Sequence, residues 1–385
     1  MRYLTMLICC LIFLVSWPQN LSASIDRPSL SHDTRSVVLM EYESGRILYA
    51  DNEEASYSPA SMTKMMTLLL IAEAIETNQL SLTDQVTVTD HAASMGGTQI
   101  FLEENEQMTV QDLLKAIAIA SANDATVALA EHIFGNETNA VEAMNEKAKD
   151  LELTDTQFQN TTGLPADDHY ASAQDIAKIA NELLNYEWIT DYTSIYEDYL
   201  REDTDDAFWL VNTNKLVKHD STIDGLKTGY TADAKYCLTA SAIREDMRLI
   251  AVVMGADSVK ERNKTIQELF DYGYAKFDRH VLVKKDEVLT TADVFQSEKS
   301  HYELVGERDL AIILPKNEAL ENVQYNIYID DHLKAPINQE QVVGTVEVLI
   351  DKEVYASVNL RSTIPIKKAN WTESLFDVVR RFNSL

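Results

Sequence analysis

The chain has 385 residues, with 33 Lys and Arg against 62 Asp and Glu, so its formal net charge is −29. That length accommodates two domains of ordinary size. A balance of 45% hydrophobic and 25% charged residues excludes global disorder, a collagen-like repeat and a polytopic membrane protein. So acidic a surface repels phosphate backbones, which excludes nucleic acid as a partner bound by charge.

Residues 1–24 read as a secretory signal. Arg2 supplies the positive start, Leu4 to Trp17 is an almost unbroken apolar run, and Ser22, Ala23 and Ser24 offer a small-residue cleavage site. An uncleaved N-terminal anchor is the competing reading, although the run is shorter than a membrane-crossing helix requires. Export is expected. Cys9 and Cys10 fall inside this segment, which leaves Cys237 alone in the mature chain. A single thiol excludes an internal disulfide framework, and its apolar neighbours mark Cys237 as a buried hydrophobe.

From residue 35 to about 275, strand-like and helix-like segments alternate. Val37–Tyr42 and Arg46–Ala50 read as a hairpin across Glu43-Ser44-Gly45, and Ser61 to Ile75 as a long apolar helix. Residues 110–134 give two helical runs broken at Ser121-Ala122-Asn123. Ser172 with Asp175 forms a capping-box variant opening a helix through Leu184. Cys237–Ala242 and Arg248–Met254 read as strands, the latter fully buried.

Beyond residue 276 the pattern changes to short alternating segments, His280–Val283, Leu310–Leu314, Val323–Ile329, Gln341–Ile350 and Tyr355–Leu360, which predict a small all-β domain. In residues 366–385, Trp371, Leu375, Val378, Val379 and Phe382 recur at helical spacing, flanked by Lys367, Lys368, Arg380 and Arg381. A basic amphipathic helix on an acidic protein suits an anionic membrane surface, and it equally suits a terminal helix packed on its own domain.

Three short motifs carry the chemistry. In Ser61-Met62-Thr63-Lys64, a lysine three residues after a serine shares its helical face. A desolvated lysine of lowered pKa can activate that hydroxyl, and a helix N-terminus supplies amide donors where an oxyanion forms. Taken alone the pair is unspecific, since an N-cap serine followed by a solvated lysine looks the same. Ser121-Ala122-Asn123 sets two polar side chains in an apolar run, facing either a cleft or a helix cap. Lys227-Thr228-Gly229, followed by Tyr230, combines carboxylate-binding side chains with a glycine that admits a ligand backbone; an exposed turn is the plainer reading.

In this order, spaced 60 and 106 residues apart, the three motifs resemble the serine penicillin-binding proteins and β-lactamases. Ala60–Thr67, Gly96-Gly97-Thr98, Thr161–Pro165 and Asp224–Thr231 extend the likeness to the low-molecular-mass D-alanyl-D-alanine carboxypeptidases, the penicillin-binding protein 5-like family. The resemblance implies an α/β (α+β) serine β-lactamase/transpeptidase-like domain over residues 25–275, an antiparallel sheet flanked by a helical cluster. A β-rich stalk over 276–365 and an amphipathic membrane anchor over 366–385 would follow it.

It also implies roles. Ser61 attacks the carbonyl between two terminal D-alanines, Lys64 takes its proton, and Ser121 relays a proton to the leaving amine. Asn123 binds the substrate amide, Lys227 supports the electrostatics, and Thr228 helps hold the terminal carboxylate. The amides of Ser61 and of Tyr230, after Gly229, form the oxyanion hole. The expected substrates are the stem peptides of peptidoglycan, with β-lactams as inhibitors and a place on the outer face of the bacterial cytoplasmic membrane. Many relatives carry His where this chain has Tyr230, a change a backbone contact tolerates.

A β-lactamase, a DD-endopeptidase and a non-enzymatic wall-binding relative are the rivals. A class A β-lactamase needs Glu-x-x-x-Asn, whereas Glu182-Leu183-Leu184-Asn185 is one residue short. No metal and no cofactor is expected: the eight His are scattered, His132 and His169 read as surface or packing residues, and Gly96-Gly97 lacks a P-loop lysine.

Overall fold

The computed structural model describes residues 30, 33–299, 301–318, 323–350 and 352–370. The expected signal at 1–24 and the apolar stripe from Trp371 onward lie outside the described residues. From residue 33 the described chain forms one compact unit.

In chain order the first elements are β1 (Ser36–Glu41), β2 (Ile47–Asp51), α1 (Lys64–Glu76), β3 (Gln85–Thr87), α2 (Asp90–Ala93), β4 (Gln107–Thr109), α3 (Val110–Lys115), α4 (Asn123–Phe134) and α5 (Glu137–Asp150). Next come α6 (Ala173–Leu183), α7 (Thr190–Thr193), β5 (Glu197–Leu200), β6 (Phe208–Val211), α8 (Leu216–His219), β7 (Ile223–Thr231), β8 (Lys235–Arg244), β9 (Met247–Ala256) and α9 (Val259–Lys276). The remaining strands are β10 (Phe277–Val283), β11 (Val288–Asp293), β12 (His301–Gly306), β13 (Leu310–Pro315), β14 (Val323–Ile329), β15 (Gly344–Ile350) and β16 (Glu353–Ser362).

Five antiparallel strands in the order β2-β1-β9-β8-β7 make the central sheet. Side-chain alternation along β1 sends Val38 and Met40 into the core shared with α1, α4 and α6, whereas Leu39 faces α9. Gly273 in α9 sits so close to the sheet that a Cβ there would stand 2.9 Å from Leu39 Cδ2. Both faces of β9 are therefore covered, which is why it reads as a continuous apolar run rather than an alternating one.

The helix α1 is apolar around most of its circumference because it crosses the middle of the helical cluster: Met65, Met66, Leu68, Leu69 and Ile71 are all at 1% exposure or less. The same burial carries Lys64, at its first turn, into the interior. The Ser172 hydroxyl accepts from the Asp175 amide to cap α6, as the sequence predicts.

Sequence periodicity missed α5, α9 and the β5–β6 hairpin. The first two are amphipathic and charge-rich, with only a narrow buried stripe, so their apolar signal is diluted. In the C-terminal domain β10 pairs with β13, and the strands β11-β12-β16-β15-β14 form a sheet over a core including Leu304, Ile312, Val346 and Leu360. Strands β11 and β12 were not expected. Ile366, the first residue of the expected tail, is buried and bridged to Ile337, and the Ala369 amide donates to the Gln296 carbonyl.

Candidate active site

Ser61 lies in the single 3-10 turn, Ala60–Thr63, that leads into α1. Lys64 Nζ stands 3.0 Å from Ser61 Oγ and donates to the Thr162 carbonyl at 2.7 Å. Lys64 is fully buried. Burial, with the Lys227 charge adding to it and Asp124 opposing it, holds its pKa well below the ordinary lysine value. An amine whose charged form burial disfavours, placed beside a serine hydroxyl, is positioned to serve as a general base.

The second motif makes no side-chain cap on α4; Ser121 ends the helix before it as a left-handed C-cap. A single-turn π-helix, Ala116–Ala120, ends α3, and Ser121 follows with φ of 66° in the left-handed region. This is a strained conformation for a residue with a Cβ, of the kind that recurs at functional sites. The turn breaks the helix and lets α4 restart at Asn123. Asn123 Nδ2 donates to the Gly96 carbonyl at 2.7 Å, and its amide donates to the Thr98 carbonyl at 2.7 Å. That bond uses one of the two Nδ2 hydrogens, so Oδ1 remains as an acceptor and the second N–H as a donor. A Cβ on Gly97 would stand 2.8 Å from Asn123 Nδ2, so this glycine lets the loop lie against the motif.

The third motif is within β7, at the edge of the sheet that borders the 3-10 turn. A Cβ on Gly229 would fall 2.8 Å from the Pro59 carbonyl oxygen and 3.3 Å from the Ser61 amide nitrogen. The absent side chain thus brings β7 against the serine, with the backbone of Tyr230 directly beyond. The Tyr230 ring is 57% exposed and stacks on Tyr236 at 4.5 Å between ring centroids. Lys227 is buried, and burial, aided by Arg262, lowers its pKa to about 7. The Thr228 hydroxyl donates to Thr213 Oγ1 at 2.7 Å.

Several residues of this architecture had no role in the sequence reading. Thr213, just after the β5–β6 hairpin, supports Thr228. Asp124, fully buried, accepts from the Ile100 and Leu102 amides and so anchors the loop that ends against Asn123. The Thr162 carbonyl holds Lys64. Asp124 adjoins a motif and carries a charge amid apolar residues, a legible signal; a backbone carbonyl leaves none. Glu182 accepts from Asn185 Nδ2 at 3.0 Å, and Asn185 Oδ1 accepts from the Tyr42 hydroxyl, so this pair is engaged with itself and with Tyr42. Cys237 is buried with its thiol pKa pushed up to about 11, inert as a nucleophile.

A serine paired with a buried lysine, flanked by a strained Ser-x-Asn turn and a sheet-edge Lys-Thr-Gly, defines an active-serine acyl-transfer site. Comparison with known proteins gives the family. The model of the D-alanyl-D-alanine carboxypeptidase peptidase family matches residues 22–258, and that of the penicillin-binding protein 5 C-terminal domain matches 277–368. The D-alanyl-D-alanine carboxypeptidase DacF of Bacillus subtilis is 46% identical over 342 residues, 89% of this chain and 88% of the relative.

Among solved structures, penicillin-binding protein 5 from Haemophilus influenzae is 33% identical with a TM-score of 0.68, covering 87% of this chain and 98% of that one. Penicillin-binding protein D2 from Listeria monocytogenes, solved in its ampicillin-bound form, is 27% identical with a TM-score of 0.58, covering 64% and 100%. The chain belongs to the serine-type D-alanyl-D-alanine carboxypeptidase family.

Proposed function

We propose that this enzyme removes the terminal D-alanine from peptidoglycan stem peptides through an acyl-enzyme on Ser61. The observation that carries the reading is the 3.0 Å approach of a fully buried Lys64 amine to the Ser61 hydroxyl. Lys64 accepts the hydroxyl proton as Ser61 Oγ bonds to the carbonyl carbon between the two D-alanines. The Ser61 and Tyr230 amides take the resulting oxyanion. The C–N bond then breaks, the leaving amine receives a proton through Ser121, and D-alanine departs. Water attacks the ester, Lys64 again taking a proton, and the shortened peptide is released with Ser61 regenerated. Asn123 receives the substrate amide, and Lys227 with Thr228 holds the carboxylate.

β-Lactams present the same amide and carboxylate, and their ring keeps the leaving nitrogen tethered, so the acyl-enzyme persists. The chain is exported through residues 1–24, works on the outer face of the cytoplasmic membrane in wall biogenesis, and is held there by its basic amphipathic tail. The β domain of residues 276–365 spaces the peptidase domain of 25–275 from the lipid. Placement outside the membrane is supported by the substrate, which belongs to the wall.

Mass spectrometry after brief exposure to benzylpenicillin, paired with D-alanine release from a D-Ala-D-Ala peptide, tests this reading. A Ser61 adduct together with release is the expected result. Rapid penicillin turnover without release would make the protein a β-lactamase, and cleavage confined to cross-linked dimers would make it an endopeptidase.

A further inference from the structure

The loop of residues 159–169 supplies the carbonyl that holds Lys64, and one buried histidine ties that loop to the catalytic turn. His169 Nδ1 accepts from the Gln159 amide at 3.1 Å, and His169 Nε2 lies 2.8 Å from Thr63 Oγ1. A backbone N–H can only donate, so Nδ1 is the bare nitrogen and the ring proton is on Nε2, donated to Thr63. Thr63 itself sits between Ser61 and Lys64, at 1% exposure. A single neutral imidazole therefore joins both ends of the loop to the turn that carries the nucleophile.

The rest of the loop is arranged around the same end. Asn160 Oδ1 accepts from the Thr162 and Gly163 amides, Glu137 Oε1 from the Thr161 amide and hydroxyl, and the Thr67 hydroxyl donates to the Thr161 carbonyl. The Asn160 bonds fix the shape of the loop, and those of Glu137 and Thr67 tie its middle to α5 and α1; the His169–Thr63 bond ties its far end to the 3-10 turn. What that last tie controls is Lys64. A neutral amine has two N–H bonds and one lone pair. With one N–H committed to the Thr162 carbonyl, its rotation is restricted and the lone pair can be held toward Ser61.

We infer that His169, as the neutral Nε2–H tautomer, is a positioning residue for this reaction: by holding the 159–169 loop on Thr63 it orients the Lys64 amine for proton abstraction from Ser61. The inference rests on the acyl-enzyme reading above and adds a residue with no contact to substrate. Burial, which pushes the imidazole pKa down to about 4, keeps the ring in the required form at neutral pH.

The test uses the full-length protein and benzylpenicillin, with stopped-flow kinetics separating the initial binding constant from the first-order acylation rate. His169→Phe fills the space and removes both hydrogen bonds; acylation is expected to slow by about tenfold or more with binding within about twofold, since an orientation is lost and no ligand contact is. His169→Gln keeps an N–H donor near the Nε2 position and is expected to recover to within about threefold of wild type. Full-rate acylation by the Phe variant, equal loss in both variants, or a loss confined to binding would overturn the inference.

A measurement independent of any variant's folding is the imidazole nitrogen spectrum of the wild-type protein. An Nε2–H tautomer at pH 7 is expected; an Nδ1–H tautomer or an imidazolium there overturns the proposal. If wild-type protein forms no Ser61 adduct, the proposed function itself fails. If it forms the adduct and the His169 variants match its rate, only the positioning role fails.

Discussion

Gly163 packs directly on Ala60: with φ of 83°, it presents its bare Cα face to the Ala60 carbonyl, and a Cβ there would collide with that oxygen. Ala60 opens the turn that carries Ser61, and Gly163 follows the residue whose carbonyl holds Lys64. The contact is therefore where the loop and the nucleophile's turn are brought to their working separation. Gly163→Ala is expected to destabilise the fold by about 2 kcal/mol or more and to cut β-lactam acylation sharply. Gly135 has a similar φ of 85° but open space around it, so Gly135→Ala should cost only about 1 kcal/mol and leave acylation intact. Thermal melts and adduct formation measured on both variants check the contrast.

Removal of the base should separate chemistry from folding. Lys64→Met keeps the buried stem and removes a group whose charged form burial penalises, so the melting temperature should hold or rise. Acylation should fall by about a hundredfold to ten-thousandfold, the usual contribution of a general base. A variant that unfolds, or one that acylates normally, would contradict the role given to Lys64.

The proposed carboxylate site predicts a pH dependence with a definite sign. The Lys227 ammonium is lost as pH rises through about 7. A substrate carboxylate prefers the charged form, so KM for a D-Ala-D-Ala peptide should rise between neutral pH and pH ~9. Lys227→Arg keeps the charge throughout that range and should flatten the rise, which steady-state kinetics across pH would reveal.

His169 predicts an acid limit on stability. Its pKa is about 4 in the folded protein against an ordinary 6.5, so between those values the unfolded chain binds more protons. Stability from this group is full above about pH 6.5 and is lost as pH falls through about 4, a change of about 3 kcal/mol. Urea unfolding at neutral and acidic pH should show His169→Phe with a flatter profile than wild type.

Membrane association is tested by truncation after Asn370 rather than before Ile366. Ile366 is buried and bridged to Ile337, so an earlier cut would damage the β domain as well. Protein lacking 371–385 should stay in the supernatant with peptide turnover retained. Continued pelleting with membranes would place the anchor elsewhere.

Local spacing in the sequence determined a good part of this protein. Ser61 and Lys64 share a helical face by their separation of three, the Ser172 cap opens α6 where the pattern required it, and apolar runs marked β1, β8 and β9. The three motifs in order pointed to the serine penicillin-binding proteins and β-lactamases, because each residue type is demanded by the chemistry whatever surrounds it, and the stretches around them narrowed this to the carboxypeptidases.

Only the tertiary structure decided the rest. Lys64 at the start of a helix could have been a solvated cation; the packing of α1 in the middle of the cluster buries it and lowers its pKa. Asn123 could have capped α4; the approach of the Gly96-Gly97 loop turns it to another task. Thr162 acts through a backbone carbonyl, which every residue possesses, and His169 acts through a bond to Thr63, 106 positions away. Hydrogen bonds between distant segments depend on loop closure and desolvation. Neither is written in local periodicity.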